Sequence, residues 1–242
     1  MLSLKLANSV DSINGSLLNS NNFSLDFNGS TQDADISTVA DQIDISKGTL
    51  SIWGKLDSVS ANATAIKFSI TGGTAAQNNC EISYLNSSSE TMFKWKGSNS
   101  TKSIESSEAI EGDGNWHHFA LTWDHTADEL KGYLDGSLVG TATGLTEFAS
   151  GMTLGNVFLA RNSINTNSYW AGHLDEAAMF SRVVPIAQLY QANQQPINLT
   201  GSANLIGYWR MEEGTGASIK DSSEYGNNGT LTNSPTWSTD TP

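Results

Sequence analysis

The chain has 242 residues and a formal net charge of −13, from 12 Lys and Arg against 25 Asp and Glu. That balance lacks the basic stripes of nucleic-acid binding and repels anionic lipid, so neither nucleic acid nor membrane insertion is expected of it. Only 15% of residues are charged. This lies below the usual quarter, and Ser, Thr, Asn and Gly fill the gap, as suits turns and polar strand faces.

The lone cysteine, Cys80, excludes an intrachain disulfide, and the chain does not read as a disulfide-stapled secreted domain. No sustained apolar run makes a signal peptide or a membrane span. A protein of this kind that works outside a cell would leave by another route, such as release with a phage particle at lysis.

In chain order, residues 1–22 read as a polar arm or first strand, with Leu2, Leu4 and Leu6 alternating. Phe23 to Phe27 alternates cleanly and ends in the turn Asn28-Gly29. Asp33-Ala34-Asp35-Ile36 and Gln42-Ile43-Asp44-Ile45 read as short edge pieces. Gly48 to Leu56, Ala65 to Ile70, Glu81 to Leu85 and Met92 to Lys96 are strands, with a short one at Ser103-Ile104. Cys80 is expected half-buried at the start of one of them.

The densest stretch is Trp116-His117-His118-Phe119-Ala120-Leu121-Thr122-Trp123-Asp124, followed by Leu130-Lys131-Gly132-Tyr133-Leu134-Asp135-Gly136. Alternation puts His117, Phe119, Leu121 and Trp123 on one strand face and His118, Ala120 and Thr122 on the other. Asp135-Gly136 is a hairpin signal. Neighbouring His117 and His118 diverge, so they cannot serve one ion; one is expected in the core and one at the surface. Trp53, Trp116, Trp123 and Trp209 are expected in the core.

Met152 to Gly155 and Val157 to Arg161 are further strands. They precede the last strong one, Gly172-His173-Leu174-Asp175-Glu176-Ala177-Ala178-Met179-Phe180. Pro185 to Ala192 is the single expected helix, with Ile186, Leu189 and Tyr190 on one face. Residues 196–204 form a connector, and 205–242 hold a strand at Leu205 to Met211 and a loop at Asp221 to Leu231. That terminal piece is too short to fold alone. It must dock on its own sandwich (residues 23–195) or on a neighbouring copy. Asn14 to Ser20 also echoes Asn228 to Ser234.

The block Trp116 to Asp124 with Tyr133-Leu134-Asp135-Gly136, and the block Gly172 to Arg182, resemble the central and closing strands of the laminin-G-like, concanavalin A-like lectin/glucanase domains. The resemblance implies an all-β jelly-roll sandwich of two antiparallel sheets with one short helix. It leaves function open, since this fold carries lectins, adhesion modules, hydrolases and structural parts alike.

Catalysis is not expected. A glycosidase of this fold needs two carboxylates facing each other across a cleft. The Glu-x-Asp-x-x-Glu signature is absent, and alternation sends Asp175 and Glu176 to opposite faces. The resemblance does imply calcium as a cofactor. The loop Asp221 to Gly229 offers oxygens of the kind Ca²⁺ takes, with Asp221 and Asp175 as side-chain ligands and Asn227 and Asn228 beside them; the alternative is a tight turn. Glycan binding is expected of a lip formed by Arg161, Asn162, Asn167, Tyr169 and Trp170, with Trp170 alternatively packed under the closing strand.

The expected function is a non-enzymatic, lectin-like recognition or structural protein of a phage-like virion. That context comes from resemblance to marine phage structural proteins. Its expected partners are other virion proteins or copies of itself, together with a host-surface glycan. The alternatives are a carbohydrate-binding adhesin on a bacterial surface and, behind it, a polysaccharide hydrolase.

Overall fold

The structure, a computed structural model, describes residues 21–71, 78–162, 167–191 and 195–242. Its strands are β1 (Ser24–Asn28), β2 (Asp33–Asp35), β3 (Lys47–Leu56), β4 (Ala63–Ile70), β5 (Asn79–Leu85), β6 (Glu90–Lys96), β7 (Thr101–Ser106) and β8 (His117–Asp124). They continue as β9 (Glu129–Leu134), β10 (Ser137–Ala142), β11 (Leu154–Leu159), β12 (Ala171–Phe180), β13 (Leu205–Trp209), β14 (Ser218–Ile219), β15 (Gly229–Thr232) and β16 (Thr236–Ser238). One eight-stranded sheet runs β10-β9-β8-β3-β12-β1-β16 with β13 also on β12; the other runs β14-β15-β2-β11-β4-β5-β6-β7. All pairings are antiparallel, as the alternating sequence requires. This is the jelly-roll sandwich expected from the sequence.

The inner faces interdigitate around an aromatic stack. Trp95 lies 5.8 Å from Trp123 and 4.6 Å from Phe148, ring centre to ring centre. Phe119, Leu121 and Trp123 of β8 enter this core, while Ala120 joins a second apolar cluster on the other side of the sheet. That cluster is closed by Val184, Leu189, Leu199, Leu205 and Tyr208. Both faces of the β8-β3-β12 sheet are therefore covered, one by the partner sheet and one by the segment following β12. Asp135 and Gly136 both have positive φ, 47° and 74°, the type I′ turn that the right-handed twist of a hairpin favours.

Strand β12 carries a β-bulge at Asp175–Ala178, with Glu176 at φ 49°. One extra residue reverses the alternation. Leu174 lies in the main core, and so do Ala177 and Met179. The bulge sits where β12 changes neighbours, since β1 pairs with Ala171–Leu174 and β13 with Ala177–Phe180. The terminal segment thereby enters both sheets of its own sandwich. β13 lies on β12, β15 on β2, and β16 on β1.

Several expectations are corrected here. Gln42–Ile45 is not a strand; Gln42 ends a 3-10 turn, Ser37–Gln42. The expected helix after Pro185 is one 3-10 turn, Ile186–Gln188. It has no capping side chain, and a segment this short gains too little from propagation to hold an α-helix. Trp116 precedes β8 and is half-buried, donating from Nε1 to Asp240 Oδ1 at 2.9 Å. Trp53, Trp123 and Trp209 are buried as expected. The strand proposed at Leu2–Leu6, the echo at Asn14–Ser20 and the end of the expected helix at Ala192 lie outside the described residues.

Candidate functional site

Three loops meet at one end of the sandwich. The first is the turn after β1, where Asn28 Oδ1 accepts the backbone N–H groups of Ser30 and Thr31, each at 3.0 Å. This is the side-chain turn that Asn favours. The second is the β3–β4 loop, and the third is the approach to β12. Backbone bonds lace them together. Gly29 N donates to Trp170 O at 3.0 Å, Asp57 N to Ala171 O at 3.0 Å, and Thr64 N to Ser168 O at 2.9 Å.

Between the loops lies a cleft of about 380 Å³, lined by side chains including Asn28, Ser58, Ser60, Asn62, Asn167 and Tyr169. Its size is that of small-ligand sites, roughly 300–1,000 Å³. Gly29 holds φ 69°, and a Cβ there would meet Ala171 Cβ at 2.7 Å. Gly29→Ala is expected to cost about 1–2 kcal/mol in strain and to splay the cleft, read as a lower urea midpoint.

The expected lip divides. Asn167 and Tyr169 line the cleft. Asn162 donates its backbone N–H to Asn167 O at 3.3 Å and so supports the lip from behind. Trp170 is buried, its Nε1 donating to His173 O at 3.1 Å and its ring set edge-on against Phe119. It is the peg beneath the lip and offers no ring face to a ligand. Arg161 does not line the cleft. Its guanidinium lies 3.7 Å over the Phe158 ring, with Nε 3.3 Å from Asp33 Oδ2.

Of the residues expected to hold calcium, Asp221, Asn227 and Asn228 share one turn, and Asp175 has no hydrogen bond to them. Asp221 Oδ1 accepts the N–H groups of Tyr208 and Ser223, and its Oδ2 accepts Ser223 Oγ and Asn227 N. Asn228 Oδ1 accepts Asp221 N, and Asn227 Nδ2 donates to Gln42 and to Ile206 O. Every oxygen of the Asp221 carboxylate is spent on closing the turn. Among the described residues no three His, Cys, Asp or Glu side chains converge as a metal group.

Asp175 lies instead on the outer face of its sheet, opposite Trp53 in the β3 register. It is fully buried; Oδ1 accepts Glu176 N at 2.8 Å, and Oδ2 has no partner. Burial, then the charges of Glu176 and Glu212, push its pKa well above the usual carboxylate range. Burial also raises Glu176, to about 7, although the Tyr208 hydroxyl and Arg210 bond to it. The bulge brings both acids under the same cover, where alternation alone would have parted them.

His118 is buried, with Nε2 at 2.9 Å from Ser51 Oγ, and burial lowers its pKa to about 4. One of the two histidines was expected at the surface, but His117 is also nearly buried. Its two ring nitrogens face Asp135 at 2.7 Å and Asp113 at 3.0 Å. Burial opposes a charge there, but those two hydrogen bonds outweigh it and raise the pKa.

The laminin-G-type sequence profile of the concanavalin A-like lectin/glucanases superfamily matches residues 28–189. The chain belongs to this superfamily. Among curated proteins no sequence matches it. A similar solved structure is a protein of Bacteroides ovatus ATCC 8483, provisionally designated a carbohydrate binding protein. It is 17% identical with a TM-score of 0.64, over 91% of this chain and 61% of that one. The superfamily member thus spans about three fifths of that protein. The CBM40 of the Ruminococcus gnavus IT-sialidase is 15% identical with a TM-score of 0.56, over 68% of this chain and 96% of that one. The same module bound to α2,3 sialyllactose aligns at 15% identity and a TM-score of 0.55, over 68% and 96% of the two chains. At these identities the likeness is one of fold.

The cleft residues that sequence reasoning missed are Asn28, Ser58, Ser60 and Asn62. Asn28-Gly29 was legible as a turn, but no motif singled out Ser58 to Asn62. Nothing in the sequence set them opposite Tyr169.

Proposed function

We propose that the domain is a non-catalytic carbohydrate-recognition module that holds a glycan in the cleft between the three loops. The observation that carries this is the lining: hydroxyls and side-chain amides around Tyr169, on loops laced by backbone hydrogen bonds. Hydroxyls and amides both donate and accept, as sugar hydroxyls do. An aromatic ring with a polar tip suits a ligand that is apolar on its ring face and wet at its edge. Loops fixed in advance lower the ordering cost of binding. The solved structures of this fold include modules named for carbohydrate binding, which supports the reading.

Hydrolysis fits poorly. The paired acids Asp175 and Glu176 are buried beneath the segment after β12, and no carboxylate lines the cleft among the described residues. A glycosidase needs two carboxylates flanking the bond it cleaves.

The test is a glycan array followed by titration calorimetry on each hit. Tyr169→Ala is expected to weaken binding about tenfold, the equivalent of roughly 1.4 kcal/mol, without reducing the melting temperature. Binding that survives Tyr169→Ala unchanged, or reducing ends released from a bound polysaccharide, would overturn the proposal.

A further inference from the structure

We infer that the cleft selects uncharged saccharides and rejects those bearing a carboxylate, sulfate or phosphate. This rests on the reading of the cleft as a glycan site and adds the class of glycan. A charge moved into a partly enclosed site costs free energy unless a counter-charge or several N–H donors meet it. Among the described residues lining the cleft there is no Lys, Arg or His.

Nearby cations are already committed. Arg161 lies over Phe158 and beside Asp33, and Lys55 Nζ is 2.8 Å from Asp240 Oδ2. Five backbone N–H groups at the rim, of a kind that elsewhere forms anion-binding concavities, are committed too. Those of Gly29 and Asp57 donate to Trp170 O and Ala171 O. Those of Ser30 and Thr31 donate to Asn28 Oδ1, and that of Val59 to Glu111 Oε1 at 2.8 Å.

The long-range field acts in the same direction, since a net charge of −13 lowers the local concentration of anions. What the cleft still offers is hydroxyl and amide chemistry, matched to neutral hydroxyls. The Ruminococcus gnavus module has been solved with sialyllactose, a carboxylated sugar. No cationic side chain among the described residues lining this cleft would offset such a charge.

The experiment uses the full chain and matched saccharides: lactose against 3′-sialyllactose, and neutral manno-, gluco- and galacto-oligosaccharides against oligogalacturonate and sulfated oligosaccharides. Each is titrated at low and high KCl, with wild type and Tyr169→Ala. The expected result is at least a tenfold preference for neutral ligands, abolished by Tyr169→Ala, with binding of the neutral ligand itself insensitive to salt. Acidic ligands bound as tightly as neutral ones, weakened by salt and lost in Tyr169→Ala, would overturn the selectivity while leaving the glycan site standing. Saccharides of neither class bound, or binding indifferent to Tyr169→Ala, would overturn the glycan site and the selectivity together.

Discussion

A chain ending at Asn204 is expected to lose its cooperative fold altogether. The superfamily profile stops at residue 189, but the core does not. Leu205, Ile206, Tyr208, Trp209, Met211, Ile219 and Leu231 are all buried. At roughly 1.5–3 kcal/mol for each large apolar side chain taken from water, their loss amounts to on the order of 10–20 kcal/mol. That matches or exceeds the whole net stability of an ordinary domain, about 5–15 kcal/mol. The loss is also concentrated. Removing β13 bares the Ala177–Phe180 half of β12, and removing β15 bares the edge of β2. Two open edges beside exposed apolar surface favour aggregation. Size-exclusion chromatography and thermal melts by circular dichroism should therefore find the shortened chain aggregated, with no cooperative transition. A peptide covering 205–242, added during refolding, should restore a soluble species by strand addition. A monomeric shortened chain that melts cooperatively would show that the terminal strands decorate a complete sandwich.

The sequence revealed the sandwich because its strongest strands obey period two without interruption. Trp116 to Asp124 and the Asp135-Gly136 turn needed only alternation and turn chemistry, and the structure agrees at each inward residue from Phe119 to Trp123. Alternation failed at Glu176. Nothing marks a Glu as a residue of positive φ, so the bulge that turns Asp175 and Glu176 to one covered side was invisible. Cover was invisible as well. A strand pattern shows one core face, and it could not show that Val184 and Leu189 fold back over the other. That is why His118 and Glu176 proved buried.

The cleft was half legible for a related reason. Asn167 and Tyr169 belong to one loop and could be read together. Asn28, Ser60 and Asn62 reach them only through the backbone bonds of Gly29, Asp57 and Thr64 to the segment before and at the start of β12. Trp170 looked like a binding residue because a Trp beside Asn and Tyr reads as a lip. Its indole instead points inward, where it holds the lip in place.

The Glu176 carboxyl should cost the fold stability as pH rises from about 4.5 to 7, and Glu176→Gln should remove that loss. Glu176 has an ordinary pKa of 4.5 when free and about 7 in the fold, raised by burial. Between those values the folded state holds more protons than the unfolded one. Its contribution is complete below the unfolded value and is lost as pH climbs through the folded one. Asp175, also raised, and His117, raised by its two carboxylates, lose stability in the same alkaline direction. His118 works the other way. Lowered from 6.5 to about 4, it must stay neutral in the fold, so its contribution is present above 6.5 and is lost as pH falls toward 4. Between about pH 4.5 and 6.5 the His118 and Glu176 contributions therefore oppose each other. Urea midpoints at half-unit steps from pH 4.5 to 8.5 read this directly. Glu176→Gln keeps an acceptor for the Tyr208 hydroxyl and removes the charge that burial penalises. It should be more stable than wild type at pH 8 by roughly 2 kcal/mol, with the two curves converging toward pH 4.5. His118→Gln should flatten only the acid limb. A difference between wild type and Glu176→Gln that stays constant from pH 4.5 to 7 would mean that Arg210 and Tyr208 keep the carboxylate ionised in the fold.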